Sequence, residues 1–162
     1  MTAGSAADPA AEMARELADR LGTIDQTGTG LVGVGIDAVD LDRFRAVLAR
    51  RPGLARRVFT DGELAYAALA PDPVPRLATR FATKEAVMKA LGVGLWSFRL
   101  TDVEVARSGM DAPTVAMHGA AASLATAAGV TGWHLSLTHT DTVALAVVVA
   151  TTAGGASTCS RS

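Results

Sequence analysis

The chain has 162 residues, of which 49% are hydrophobic and only 4% are aromatic. This length suits one domain with a core built mainly from Ala, Val and Leu. A formal net charge of −1 argues against general nucleic-acid binding, and a single cysteine, Cys159, excludes a disulfide framework within the chain. The most apolar run, Val143 to Ala150, is too short to cross a bilayer, and the N-terminus lacks a secretory signal pattern. We therefore expect a soluble cytoplasmic protein.

Composition divides the chain into an extension at residues 1–30, a domain at residues 31–152 and a disordered tail at residues 153–162. Within the extension, Asp8-Pro9 can begin a helix through Arg20. Met13, Leu17 and Leu21 follow at helical spacing. Gly22 to Gly30 is rich in Gly and Thr, which is typical of a linker.

The first half of the domain predicts a short buried strand followed by helices. The strand covers Leu31 to Ile36, and an arginine-rich helix covers Asp40 to Arg51. Thr60 and Glu63 form a capping-box pattern for a helix from Asp61 to Leu69. A loop with prolines 71, 73 and 75 then leads to a helix from Arg80 that a glycine, Gly92, closes.

The second half alternates strands with one helix. Strands are predicted at Thr101–Arg107 and Thr114–His118, and a helix at Ala120–Ala128. An antiparallel hairpin is predicted from Trp133–Thr138 and Thr142–Val149. Helices that precede and interrupt antiparallel strand pairs indicate an α+β fold, with an antiparallel sheet packed against helices in one small domain.

Glu85 and Lys89 stand one helical turn apart, so they share a face of the predicted helix. One interpretation is a helix ion pair that contributes about 0.3–0.5 kcal/mol. The other is a carboxylate and an ammonium that hold a metal ion and stabilise a leaving phosphate.

Asp37 is the second acidic candidate. It follows Gly33-Val34-Gly35, which fits the dinucleotide pattern G-x-G-x-x-A, but its carboxylate would stand beside the pyrophosphate that this pattern binds. Asp37 fits better if a cation lies between it and phosphate groups, as with Mg²⁺ held by one or two carboxylates and substrate oxygens. The alternative is a helix-capping role, for which Asp40 is the better candidate.

His139 lies at the turn of the predicted hairpin. A single histidine there is more often structural, but it could donate a hydrogen bond to a phosphate, with the hydroxyl of Thr140 beside it. The sequence shows no Cys/His cluster typical of zinc, no P-loop and no nucleophile elbow.

A basic patch follows Asp37 on a chain that is nearly neutral overall. Six arginines and no acidic residue lie between positions 43 and 57. Such a patch favours the steering of an acidic partner. Its members are Arg43, Arg45, Arg50, Arg51, Arg56 and Arg57.

Together, three motifs resemble the holo-acyl-carrier-protein synthase family of 4′-phosphopantetheinyl transferases. They are Gly33-x-Gly-Ile-Asp37 with Arg43 six residues later, Arg80-Phe-Ala-x-Lys-Glu85-Ala-x-x-Lys89-Ala-x-Gly92, and Ser136-Leu-Thr-His139. The resemblance covers about residues 31–150. It implies transfer of 4′-phosphopantetheine from coenzyme A to a serine of an apo acyl carrier protein of fatty acid or polyketide synthesis.

The resemblance also implies roles for individual residues. Asp37 and Glu85 match the Mg²⁺ carboxylates, and Lys89 matches the lysine at the scissile pyrophosphate. The implied coenzyme A contacts are Arg80, Lys84, Gly92, His139 and Thr140, and the implied carrier-protein contacts are Arg43, Arg45, Arg50 and Arg51. Glu85 or a water molecule beside it is the expected base. The family's small members form homotrimers with active sites between subunits.

The chain departs from the family at Asp111-Ala112-Pro113, where relatives carry Gly-Lys-Pro or Gly-Arg-Pro, and in residues 1–30, which have no counterpart. Two other functions stay open from sequence. One is a relative that binds carrier proteins or coenzyme A without transfer, although docking alone does not need Asp37, Glu85 and Lys89. The other is a metal-dependent nucleotide hydrolase.

Overall fold

The structure is a computed structural model that describes residues 30–95, 97–107 and 112–152. The predicted N-terminal helix, its linker, the C-terminal tail and most of the turn at 108–113 therefore lie outside the described residues. The elements in chain order are β1 (Leu31–Asp40), α1 (Leu41–Arg50), α2 (Leu54–Val58), α3 (Asp61–Ala68), α4 (Val74–Ala90), a 3-10 turn (Leu100–Asp102), β2 (Val103–Ala106), β3 (Thr114–Met117), α5 (Gly119–Ala127), β4 (Gly132–His139) and β5 (Val143–Thr151).

A three-stranded antiparallel sheet has the order β1-β5-β4, and β2 pairs with β3 in a separate antiparallel ribbon. The last strand of the described chain is therefore the central one, flanked by the first strand and by its hairpin partner. This architecture confirms the α+β prediction. Among the described residues, no helix combines the length and the apolar character that a bilayer span needs.

Helix α4 covers one face of the three-stranded sheet. Ala144, Ala146, Val148 and Ala150 alternate along β5 and are buried, as are Ala78, Ala82, Ala86 and Ala90 of α4. Small side chains on both surfaces let helix and sheet approach closely, as the low aromatic content predicts. On the other face of the sheet Val34, Leu145, Val147 and Val149 stay partly exposed.

Local capping signals are confirmed. The Asp40 carboxylate accepts a hydrogen bond from the Arg43 backbone N–H at 2.8 Å, so Asp40 is the N-cap of α1. Thr60 and Glu63 form the reciprocal capping box of α3. Gly92 has φ +66°, and the Val93 N–H bonds to the Met88 carbonyl at 3.0 Å, which is the Schellman geometry expected at the end of α4.

Two predicted boundaries are wrong. Strand β1 extends to Asp40, so Asp37 lies inside a paired strand opposite Ala146 and does not cap a helix. Helix α4 begins at Val74, six residues before Arg80, because Pro75 lies in the first turn, where a missing N–H costs nothing. The Asp72 carboxylate accepts from the Val74 N–H at 3.0 Å and supports this start.

Candidate active site

Two glycines of β1 let the strand lie directly against α4. A Cβ atom built on Gly33 would stand 2.0 Å from the Ala90 carbonyl oxygen, and one on Gly35 would stand 1.8 Å from that of Ala86. Both distances are far below any allowed contact, so only glycine fits at these positions. The Gly-x-Gly pattern therefore serves helix–strand packing, and it brings the next residue on this face, Asp37, against α4.

Asp37 meets Lys89 where β1 and α4 touch. The Lys89 ammonium donates to Asp37 Oδ1 at 2.9 Å and to the Ile36 carbonyl at 2.8 Å. The Asp37 side chain is 18% exposed and that of Lys89 is 52% exposed. Burial raises the pKa of Asp37, and the hydrogen bond from Lys89 partly offsets this rise.

Glu85 interacts electrostatically with both Asp37 and Lys89. Burial raises its pKa, the charge of Asp37 raises that pKa further, and Lys89 opposes the change. The structure thus brings Asp37, Glu85 and Lys89 into one cluster, although Asp37 lies about 50 residues before the other two in the chain. We call these three residues the acidic cluster.

The acidic cluster fits an oxygen-preferring divalent cation. Two partly buried carboxylates repel each other, and a cation between them would remove that repulsion. Among the described residues no group of three or more His, Cys, Asp or Glu side chains forms a complete metal cage. Mg²⁺ is commonly bound by one or two carboxylates, and substrate oxygens and water complete its coordination.

Lys84, which was predicted to bind coenzyme A, lies in the core instead. Its ammonium donates to Glu63 Oε2 at 2.8 Å, to the Leu100 carbonyl at 3.0 Å and to the Val103 carbonyl. Its side chain and that of Glu63 are both 0% exposed. All three ammonium protons are used, so the structure contradicts the predicted contact: Lys84 joins α4 to α3 and β2.

Arg80 lies away from the acidic cluster. Five positions separate it from Glu85, which places the two about 140° apart around the helix. The Arg80 guanidinium stacks 4.3 Å from the centre of the Tyr66 ring, and burial lowers its pKa. Arg76 stacks on the same ring at 4.6 Å, and Arg107 donates to the Tyr66 hydroxyl at 3.1 Å. Sequence reasoning missed this cation cluster, because nothing local links Tyr66 to the three arginines.

His139 and Thr140 lie at the tip of the β4–β5 hairpin. His139 is exposed and pairs with Ala144, while Asp37 pairs with Ala146 on the opposite side of β5. Two strand spacings and two residue rises put the Cα atoms of His139 and Asp37 about 12 Å apart. The Thr140 hydroxyl oxygen accepts from the Val143 N–H at 3.1 Å and shapes the turn. Within one chain the structure does not bring His139 to the acidic cluster.

The arginines predicted to meet a carrier protein are exposed on and just after α1. Arg45 forms a two-bond pair with Asp72, at 2.8 and 3.2 Å. Arg50 donates from Nε to its own helix, at the Ala46 carbonyl. Arg43 and Arg51 form no salt bridge with any described residue, so the positive surface persists after Arg45 is partly neutralised.

An apolar groove of about 1060 Å³ runs from Glu85 between α1, α2, α4 and the segment before the 3-10 turn. Its floor includes Phe44, Phe81 and Met88, and the Phe44 and Phe81 ring centres lie 5.5 Å apart. Sequence analysis did not predict a groove, because apolar residues at helical spacing look the same whether they border a groove or lie in the core.

Comparison with known proteins identifies the family of this chain. A family model described as the 4′-phosphopantetheinyl transferase superfamily matches residues 33–148. The chain belongs to this superfamily. A holo-[acyl-carrier-protein] synthase of Frankia casuarinae is 49% identical and aligns over 75% of this chain and 98% of its own length. The enzyme of the same name from Streptomyces coelicolor is 42% identical, over 74% and 97%.

Solved members of the superfamily share the fold. A holo-[acyl-carrier-protein] synthase from Neisseria meningitidis has TM-score 0.68 and 30% identity, covering 74% of this chain and 98% of that chain. One from Helicobacter pylori, in complex with coenzyme A, has TM-score 0.65 and 26% identity, covering 73% and 99%. The transferase domain thus accounts for nearly the whole length of these relatives.

Proposed function

We propose that this protein is a holo-acyl-carrier-protein synthase, which transfers 4′-phosphopantetheine from coenzyme A to a serine of an apo acyl carrier protein and releases adenosine 3′,5′-bisphosphate. The single observation that carries the proposal is the meeting of Asp37, Glu85 and Lys89 in a chain of this superfamily. The names of the relatives support the activity, and the complex of the Helicobacter pylori relative with coenzyme A supports the donor substrate.

Asp37 and Glu85 are the residues that would hold Mg²⁺. Their carboxylate oxygens are the ligand type that this ion prefers, and burial makes both of them costly to leave without a countercharge. When bound, Mg²⁺ supplies charge neutralisation and alignment of the pyrophosphate.

In the reaction, the serine oxygen attacks the phosphorus that carries pantetheine, and the phosphoanhydride P–O bond breaks. Glu85, or a water molecule that it holds, accepts the serine proton. Lys89, half-exposed beside Asp37, stabilises the charge on the departing phosphate. Phosphoryl transfer needs chiefly such positioning and charge stabilisation.

A homotrimer with active sites between subunits completes the proposal. The partly exposed apolar face of the sheet, with Val34, Leu145, Val147 and Val149, offers a surface for self-association. His139 is exposed and stands apart from the acidic cluster of its own chain, so it and Thr140 are placed to contact coenzyme A at a neighbouring subunit's site. Gly92 ends α4 three residues beyond Lys89 and remains a proposed contact. Arg80 requires a movement of Tyr66 before it can meet a phosphate.

The exposed arginines of α1 are proposed to receive the acidic carrier protein. Arg43 follows Asp37 by six residues at the start of α1, and Arg50 and Arg51 lie at its end. Complementary charge of this kind acts mainly on the association rate and weakens with salt.

The test is to incubate the full chain with coenzyme A, Mg²⁺ and an apo acyl carrier protein, and to weigh the carrier. Its mass should rise by one phosphopantetheine. Asp37→Ala and Glu85→Ala should each abolish the rise, while Asp61→Ala, an exposed acid in α3, should not. If coenzyme A binds in calorimetry and no carrier is ever modified, the protein binds without transfer and the proposal fails.

A further inference from the structure

The apolar groove beside Glu85 lacks a cover among the described residues. Its apolar lining continues from Phe44, Phe81 and Met88 to Leu48 and to Leu95, which is 59% exposed. An exposed leucine beside an apolar groove of this size is typical of a surface to which another molecule or segment binds.

Arginines dominate the charge around this groove, although Glu85 and Asp102 also line it. Arg51, Arg56, Arg57 and Arg99 all line it, and all are exposed. None of the four forms a salt bridge with any residue that the structure describes. A ligand that suits the groove therefore needs an apolar stripe and a net negative charge.

The chain itself contains such a segment. Residues 8–21 hold Met13, Leu17 and Leu21 at intervals of four, the spacing by which a helix presents anchors to a groove. The same residues include four acidic side chains, at positions 8, 12, 16 and 19, against two arginines. The family match begins only at residue 33, and the Frankia casuarinae relative, covered over 98% of its length, aligns with 75% of this chain. The segment is thus additional to the transferase domain.

We propose that residues 8–21 dock as a helix in the groove of their own chain, with Met13, Leu17 and Leu21 on its floor. Glu16 lies about 100° around the helix from this stripe and so faces the rim, and the net charge of −2 of residues 8–21 favours the arginine surface. The docked segment covers Arg51 and blocks access to Glu85 from the groove. It therefore competes with the acidic carrier protein. Only this competition depends on the proposed function; the docking itself does not.

The connection is long enough for this placement. A helix over residues 9–21 is about 20 Å long. The eight residues 22–29 span up to about 26 Å before Gly30. Gly33 lies against Ala90, one half-turn of α4 beyond Met88, so β1 starts at the same end of α4 as that part of the groove.

Docking is tested by a disulfide in the full chain, with Cys159→Ser as background. Leu17→Cys together with Leu95→Cys should lose two hydrogens on mild oxidation and stay monomeric in mass. The matched control is Leu17→Cys with Leu69→Cys, because Leu69 is 76% exposed but does not line the groove. Equal bond formation in both pairs, no bond in the Leu95 pair, or bonds only between chains would overturn the proposal.

Competition is tested by kinetics with coenzyme A saturating. Met13→Asp with Leu17→Asp should raise the rate at low carrier concentration by roughly 3- to 10-fold, because an internal ligand at millimolar effective concentration is lost. Ala11→Asp with Ala18→Asp adds the same charge on the side of the helix, about 100–120° from the Met13, Leu17 and Leu21 stripe, and should leave the rate as in the parent. Equal rates in parent and both variants would refute competition. Absence of transfer in all of them, with the disulfide formed, would refute the proposed function and not the docking.

Discussion

Lys84 and Lys89 lie five positions apart on α4 and have different environments, which shows how far a motif alone predicts the role of a residue. Both stand in the segment Lys84-Glu85-Ala-x-x-Lys89, and both were assigned to the ligand. The structure places Lys89 at the acidic cluster and Lys84 in a buried pair with Glu63. The motif fixes the spacing along α4, but which face is covered depends on α3 and β2, which are remote in sequence.

Replacing Lys84 by Met should destabilise the fold by about 3–5 kcal/mol, because the Glu63 carboxylate would stay buried without its countercharge. Lys89→Met, at a half-exposed pair, should cost no more than about 1 kcal/mol. Urea unfolding measures both. Parent-like stability of Lys84→Met together with a raised KM for coenzyme A would restore its predicted role as a ligand.

Replacing Glu85 by Gln should raise the melting temperature by a few degrees at pH 7.5 without Mg²⁺, although activity is lost. The folded protein holds the Glu85 proton more tightly than the unfolded chain, since its pKa is raised from 4.5. The parent therefore loses stability as pH rises from the unfolded pKa through the folded one, and Gln removes that loss.

The gain from Glu85→Gln should shrink towards acidic pH, where the parent's carboxyl is protonated in both states. Asp141→Asn, in the exposed hairpin turn, is the matched control for replacing an acid by its amide. Differential scanning calorimetry at about pH 3.5, one unit below the unfolded pKa, and at about pH 7.5 measures both. A gain that does not depend on pH would mean that packing, and not charge, strains Glu85.

At the scale of elements, signals confined to a few residues were predictive. Asp40, the Thr60–Glu63 capping box and Gly92 all act as their local chemistry indicates. The extent of β1 was not predicted, because its last residues are held by pairing with β5, more than 100 positions later. The reason for Gly33 and Gly35 was equally hidden, since it lies in the backbone of α4.

Gly35→Ala should therefore cost about 3 kcal/mol or more, because its Cβ would overlap the Ala86 carbonyl. It should also lower activity in whatever fraction remains folded, since β1 must move and Asp37 moves with it. Gly53→Ala is the control: nothing lies within 4 Å of its Cβ position and its φ of −76° is ordinary. It should be neutral or slightly stabilising. Denaturant midpoints of the two variants decide the matter.

At the scale of the whole molecule, the sequence identified the family, the acidic cluster and the basic surface. It did not identify the residue that neutralises part of the positive charge of the basic surface. Asp72 lies 27 positions after Arg45 and neutralises it through two hydrogen bonds. This pairing depends on how α1 lies beside the start of α4, which no local pattern encodes.

Asp72→Asn should lower the KM for an acidic carrier protein about twofold at low salt, because Arg45 is released while the amide oxygen still caps Val74. Arg43→Gln should raise that KM. Steady-state kinetics at low salt measure both effects, and both should vanish at roughly 0.5 M salt, where charges are screened within a few Å. Persistence of either effect at high salt would point to direct contact in place of steering.

The central position of β5 has a consequence for biosynthesis. Strand β1 carries Asp37, and among the described residues β5, at residues 143–151, is the only strand that pairs with it. During translation, all residues of the acidic cluster are synthesised well before β5, the strand that pairs with β1. The sheet consequently closes after translation of this domain is almost complete, by a long-range pairing step of the kind that folds slowly, and the acidic cluster is assembled only then.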